Sequence, residues 1–421
     1  MKRLLALLAC VAVAGCGSSA GPITLARAEV ARAAAPPADA TSAAAAVNAF
    51  GFDLLRAMRA QGDAVVSPAS IALALAMARA GAAGATASQM DAVLHDAASD
   101  AHPTWLNALE AAIASRTGTF KDANGQDQRV ALRIANATFS QQGMALKPAF
   151  LGALGERFGA GVRLVDFEAA TEAARQAINS WVSDQTEQRI KELLSKGVLD
   201  DQSRLVLVNA IYLKAAWLTP FDPKATKPAP FTHLDGSTAE VPTMHLVAEL
   251  PYAEGTGWRA VELPYVGGSL AMTVIVPDDL AAFTAGLDAA TFQGIAAKLA
   301  ERKPEVTLAL PIFGTETKTD LKTVLAGLGM ADAFDPDRAD FSGITDAERL
   351  YITAVVHQAN IDVDEKGTEA SAATAVVMGR TSLPSDRVTF NVDHPFLFAL
   401  RDVPTGAIVF LGQITTPAAR S

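Results

Sequence analysis

Ile361-Asp-Val-Asp-Glu-Lys-Gly-Thr-Glu-Ala-Ser-Ala-Ala-Thr-Ala-Val-Val-Met-Gly-Arg-Thr-Ser-Leu-Pro384 changes character three times along its length. It begins as an alternating strand, Ile361 and Val363 on one face and Asp362 and Asp364 on the other. Gly367 interrupts the alternation and supplies a pivot. From Thr368 to Thr374 every residue except Glu369 is small. The β-formers Val376, Val377 and Met378 follow, and Gly379 to Ser382 close the run before Pro384. At period two, Thr368, Ala370, Ala372, Thr374 and Val376 share one uncharged face, while Glu369, Ser371 and Ala373 share the other.

An uncharged, proline-free, β-capable run is an edge-pairing hazard if it stays exposed. Two readings fit. It is a small-residue linker, or it is a strand in waiting, able to slip between two existing strands later. The flanking residues decide between them.

Val47 to Arg59 places Phe50, Leu54 and Leu55 at helical spacing and predicts a first amphipathic helix. Ser67-Pro-Ala-Ser70 opens Ile71-Ala-Leu-Ala-Leu-Ala-Met77, a helix apolar on nearly every side and so expected mid-protein, with Ser67 as its cap. Leu132 to Phe139 alternates as a strand, and Ala173 to Leu194 reads as a helix. Arg204-Leu-Val-Leu-Val-Asn-Ala-Ile-Tyr-Leu213 is too apolar for a surface strand and belongs at the centre of a sheet. Val261–Tyr265 and Leu270–Pro277 form a hairpin around Gly267-Gly268, and Val306–Phe313 is another strand. Leu321–Leu328 is a helix stopped by Gly329. Tyr351–Val363 is the strand leading into the opening stretch. There is no repeat of 20–50 residues. Helices early and strands later predict an α+β fold in one domain.

Glu365-Lys-Gly-Thr-Glu-Ala-Ser-Ala-Ala-Thr374 resembles the hinge of a serpin reactive-centre loop. Ser67-Pro-x-Ser70, Ile178-Asn-Ser-Trp-Val182, Leu207-Val-Asn-Ala-Ile-Tyr212, Met330-Ala-Asp-Ala-Phe334, Ala339-Asp-Phe-Ser-Gly-Ile-Thr345 and Asp393-His-Pro-Phe396 resemble the same family, and the similarity runs over about residues 42 to 417. The resemblance implies helices around a large central mixed β-sheet, further smaller sheets and an exposed loop at about 365–386. It implies a hinge made of Glu365, Gly367, Thr368, Glu369, Ala370, Ser371, Ala372, Ala373 and Thr374, a buried shutter of Ser67, Ser70, Asn209 and His357, and a breach at Trp217. It also implies a monomer without cofactor or metal that traps a serine protease, or more rarely a cysteine protease, in a covalent complex. The alternative within the family is a non-inhibitory binding protein.

Counting the family's usual loop length from Glu365 places the cut bond at Thr381–Ser382. Arg380–Thr381 remains the alternative, because Arg is what a trypsin-like pocket wants. Three departures stand out. Ile312 replaces a Lys that commonly pairs with the loop-base Glu, leaving Glu365 without that partner. Asp63 stands where the shutter usually has Asn, and Asn360 replaces an apolar residue.

Other functions find little support. The formal net charge of −10 offers no basic footprint for nucleic acid. There is no G-x-S-x-G, H-E-x-x-H or C-x-x-C. His95, His102, His233, His245, His357 and His394 are scattered without ligand spacing. No enzyme is expected.

Residues 1–15 read as a secretory signal: Lys2 and Arg3, an apolar run, then small residues. Val13-Ala-Gly-Cys16 resembles a bacterial lipoprotein box, in which Cys16 is acylated and becomes the first residue; the other reading is an ordinary signal with a chance Cys. Cys10 would leave with the signal, so no internal disulfide is available. Residues 16–46, rich in Ala, Ser and Pro, are expected to be a flexible lipid-anchored tether, with 47–417 as the folded domain. Gly17 after the Cys resembles the outer-membrane sorting pattern, so the expected location is the outer membrane or cell surface.

Overall fold

The computed structural model describes residues 23–58, 62–96, 102–369 and 386–419. Its centre is an eight-stranded sheet. In chain order the strands are β1 (Thr24–Ala26), β2 (Gly118–Lys121), β3 (Asp127–Gln141), β4 (Val162–Val165), β5 (Leu205–Ala216), β6 (Phe313–Asp320), β7 (Ala354–Asp364) and β8 (Gly367–Thr368). Their order across the sheet is β1-β4-β3-β5-β8-β7-β6, with β2 paired to β3 and a second, direct pairing between β5 and β7.

β5 is central for the reason its composition suggests. Apart from Lys214, every residue from Leu205 to Ala216 is buried. Alternate side chains go to opposite cores, as a strand covered on both faces requires. Val206, Val208 and Ala210 pack with Ile178 and Val182 of the helix Phe167–Gln185. Leu205, Leu207, Ile211 and Leu213 face the main core. That core holds the helix Pro68–Arg79, whose residues from Pro68 to Ala78 are all buried. It continues into a six-stranded sheet that includes Leu270–Pro277, Phe396–Asp402 and Ile408–Ile414, and a four-stranded sheet completes the domain.

The N-terminal segment differs from expectation. The part of the supposed tether that is described, from residue 23 to 46, is docked. β1 pairs antiparallel with β4 on the outer edge of the central sheet. Ala33 N donates to Glu156 O at 2.8 Å, and Arg32 reaches Asn107 Oδ1 at 2.6 Å and Glu110 Oε2 at 2.7 Å. The first helix then begins at Pro37, ten residues before the expected start, and runs to Met58. Its added turns bury Ala40, Ala43 and Ala44. Alanine contributes little hydrophobicity but is the strongest helix former, and its small side chain lets a helix pack close.

Two further boundaries moved. The helix expected to reach Leu194 ends at Gln185, because Glu187 and Gln188 adopt φ of 50° and 65°. Ile190, Leu193 and Leu194 nevertheless remain buried against the sheet, so the apolar spacing continues where the backbone has left the helix. β6 was not anticipated beyond Phe313; it is an edge strand whose side chains alternate into solvent.

Candidate functional site: a slot in the central sheet

β5 and β7 pair in parallel from Val206↔Ala354 to Ile211↔Ala359. Further up the same two strands are separated by β8, which pairs with β5 through Ala216↔Gly367 and Ala215↔Thr368 and with β7 through Asp364↔Gly367 and Val363↔Thr368. The sheet is therefore closed at one end and wedged open by one strand width at the other. The wedge is the pivot Gly367 and the first residue of the small-residue run, Thr368.

Local chemistry explains how the chain turns back into the sheet. Asp364 Oδ1 accepts from Lys366 N at 2.8 Å and Gly367 N at 3.2 Å, an Asx turn that reverses the chain. Burial raises the Asp364 carboxyl above its ordinary value. Gly367 sits at φ +150°, and a Cβ there would lie 2.1 Å from Ala215 O, so only glycine fits. Trp217 fastens the turn by donating from its indole to Asp364 O at 3.0 Å and from its backbone to Lys366 O at 2.9 Å. It stacks on Tyr265 at 4.4 Å. The Tyr265 hydroxyl meets Thr368 Oγ1 at 2.6 Å, and Thr368 is 1% exposed. Glu365, without the lysine position held by Ile312, accepts instead from Thr226 Oγ1 at 2.6 Å. Glu369 takes φ +50° and turns its carboxylate to Arg189 at 3.1 Å.

At the closed end, Ser67, Ser70, Asn209 and His357 come together, all fully buried. His357 is opposite Asn209 in the β5–β7 ladder, and Asn136 of β3 is opposite Asn209 on the other side. Ser67 N donates to His357 Nε2 at 3.3 Å. That leaves the proton on Nδ1, which donates to Asn209 Oδ1. Burial lowers the His357 pKa to about 3, so the ring is neutral. Asn209 Nδ2 reaches Ser70 Oγ and Asn136 Oδ1, each at 2.5 Å. Asn136 Nδ2 returns to Ser70 O at 2.9 Å. With both nitrogens of His357 engaged elsewhere, the ring is not placed to activate Ser70, and the cluster is a polar lock rather than a catalytic dyad.

Asn136 escaped the sequence reading, although a lone Asn in the apolar run 132–139 was the available signal. Asp63 takes no part in the lock; its Oδ1 accepts from Thr415 N at 2.6 Å, Thr415 Oγ1 at 2.9 Å and Thr416 N at 3.0 Å. The Asn360 carboxamide lies 3.5 Å from Gln358 Nε2. Among the described residues no group of three or more His, Cys, Asp or Glu is arranged to hold a metal. Cys16, the hinge residues Ala370, Ser371, Ala372, Ala373 and Thr374, and the bond candidates Arg380, Thr381 and Ser382 lie outside the described residues.

The family model for serpins (serine protease inhibitors) matches residues 45–417. The chain belongs to the serpin family. Among its relatives, the leukocyte elastase inhibitor of Equus caballus is 38% identical over 384 residues, covering 87% of this chain and 97% of that protein. The leukocyte elastase inhibitor of Homo sapiens is 35% identical over 380 residues, with 87% and 97% covered. Of solved structures, the native thermophilic serpin tengpin superposes with a TM-score of 0.79 at 26% identity, over 93% of this chain and 97% of that one. Uncleaved ovalbumin superposes with a TM-score of 0.76 at 25% identity, over 89% and 100%. The α+β architecture around one large mixed sheet is the serpin fold.

Proposed function

We propose that this serpin is a suicide-substrate inhibitor of serine proteases. The observation that carries the reading is the slot, already entered by Gly367 and Thr368 and lined beyond them by strands able to take more. Continuing the Thr368↔Ala215 register brings residue 370 beside Leu213, 372 beside Ile211 and 374 beside Asn209. The side chains that must enter the interior are thus Ala, Ala and Thr, none of which carries a charge or demands room.

A target protease attacks the loop with its active-site serine and expels the new amino terminus, leaving an acyl-enzyme. The freed strand then enters between β5 and β7 and carries the acylated protease with it before water can complete deacylation. Serpin loop insertion is itself a standing example of strand addition and of stored strain. A dozen ladder bonds at roughly 1 kcal/mol net each supply on the order of 10 kcal/mol. The native state is consequently held by kinetics rather than by lowest free energy. In this reading the protein captures a single protease and does not turn over.

The names of the relatives support an elastase-like target, which suits Thr381 before the cut bond better than Arg380. The test is to incubate the protein with elastase-, subtilisin- and trypsin-like proteases and to look for an SDS-resistant complex. Sequencing the released peptide locates the bond. Loop cleavage by every active protease without any complex would assign the chain to the non-inhibitory branch of the family.

We also propose that the mature chain begins at an acylated Cys16 and is held at a membrane. The sequence motif at 13–16 supports this. Cys16→Ser should abolish acylation and release the protein from the membrane fraction. An unmodified Cys16 on a freely soluble wild-type protein contradicts it.

A further inference from the structure

The docked N-terminal strap determines how a chain anchored at Cys16 would stand on its membrane. Thr24 is eight residues after Cys16, a reach of at most about 28 Å even when fully extended. A domain of this size has a radius of gyration of about 21 Å. The anchor is therefore too short to let the body present any face it likes, provided the strap stays in place.

The strap is held at several points. β1 pairs through Thr24↔Leu164, Leu25↔Arg163 and Ala26↔Val162. Asn107 Nδ2 donates to Ala33 O at 2.8 Å, besides the Arg32 and Ala33 contacts already described. A Cβ on Gly161 would lie 2.5 Å from Ala26 O, and one on Gly155 would lie 2.6 Å from Val30. Those two glycines leave the space the strap fills.

Strand direction gives the polarity. β4 pairs in parallel with β3 through Ser140↔Leu164, and β3 pairs antiparallel with β5 through Ser140↔Leu205. Thr24 thus stands level with Leu205, whereas the hinge residue Thr368 stands level with Ala215. Ten residues of strand separate the two levels, roughly 33 Å, and the four strand spacings from β1 to β8 add about 19 Å sideways. β1 runs parallel to β5, so Thr24, where β1 begins, lies towards the end of the sheet opposite the hinge. Leu25 is 46% exposed and Val30 44% exposed on this edge, two of the six large exposed apolar side chains among the described residues.

We propose that the corner of the sheet where β1 begins, with Leu25 and Val30 on its β1–β4 edge, lies against a lipid bilayer, so that the slot and the loop lie at the far end of the sheet from it. The partner is the membrane from which the chain is tethered, and the bait is offered to proteases arriving from solvent rather than to enzymes embedded in that membrane. This rests on the Cys16 anchor proposed above, but its test does not need natural acylation.

The mature chain is coupled through the Cys16 thiol to a maleimide lipid in phosphatidylcholine/phosphatidylglycerol vesicles carrying acceptor-labelled lipid. A donor is attached to p-azidophenylalanine placed at exposed Glu29 on the strap or at exposed Lys224 beside the hinge. Energy transfer to the bilayer should be several-fold stronger from position 29. A linker of forty Gly and Ser residues after Gly17 should remove the contrast, and Gly161→Val, which pushes on the strap, should reduce it. Equal or reversed transfer in the unmodified chain overturns the proposal. Failure of natural acylation would overturn the anchor alone and would be read separately, from the mass of Cys16.

Discussion

His357 and Asn209 stand opposite each other on β7 and β5, joined by a hydrogen bond from Nδ1 to Oδ1. Asn136 extends the row onto β3. This row crosses the two strands that must separate for a loop to enter, and it lies below the point where Thr368 already holds them apart. In the inserted register, residue 374 would arrive at this row. The small polar residue there, Thr374, suits a site whose existing occupants are amide, imidazole and hydroxyl.

The lock should make the native state sensitive to acid. Burial lowers His357 to about 3 in the fold, against roughly 6.5 in an unfolded chain. The folded protein therefore prefers the neutral ring, and in the window between the two values the unfolded state binds the extra proton. Stability from this group is complete above about pH 6.5 and is lost progressively as pH falls toward about 3. From pH 7 to pH 5 the loss approaches about 2 kcal/mol. His357→Gln should flatten the dependence of the unfolding midpoint on pH across that window. If the variant and the wild type slope alike, another group carries the effect.

The turn into the slot has its own weak point. Gly367→Ala puts a methyl group 2.1 Å from Ala215 O at a φ of +150°. Strain of this kind costs on the order of 1–3 kcal/mol, and the clash adds to it. The expected result is a native melting temperature lower by several degrees. Lys366→Ala, next to it and partly exposed, serves as the control. An unchanged melt for Gly367→Ala would mean that β8 does not occupy the slot in solution.

How far the sequence could be read differs between the lock and the strap. Ser67, Ser70, Asn209 and His357 were grouped by the resemblance of their surrounding motifs to serpins, and the fold brings the four together, buried and hydrogen-bonded. The strap had no such guide. It is held by backbone pairing at Thr24–Ala26, by one arginine reaching Asn107 and Glu110, and by glycines more than a hundred residues away that leave room for it. None of that shows in local hydrophobicity. The end of the helix at Gln185 was hidden for the opposite reason, because Ile190, Leu193 and Leu194 keep a helical spacing while the chain between turns through positive φ.

Cutting the loop should stabilise the protein. A nicked strand is free to complete the sheet, so the melting temperature should rise by tens of degrees after cleavage near Thr381. Scanning calorimetry before and after limited proteolysis measures it. A cleaved form that melts no higher than the intact one contradicts the inhibitory reading.

The sharpest expectation concerns which face of the loop enters. Thr368 points inward, as its burial and its bond to Tyr265 show, so positions 370 and 372 should follow it into the core beside Leu213 and Ile211. Position 371 falls beside Tyr212 and Asn360, on the face where Glu369 meets Arg189. Ala370→Arg would force an unpaired charge among Leu213 and its neighbours, at a cost of several kcal/mol. It leaves the bait near Thr381 untouched, so acylation should proceed at the wild-type rate. Insertion would slow, and deacylation would then outrun it. The variant should turn from inhibitor into substrate, cut at the same bond with little trapped complex, while Ser371→Arg should trap nearly as well as wild type. The number of inhibitor molecules consumed per protease molecule measures both. If the two variants trap equally well, the loop does not enter in the register that Thr368 and Ala215 begin, and the mechanism built on that register fails with it.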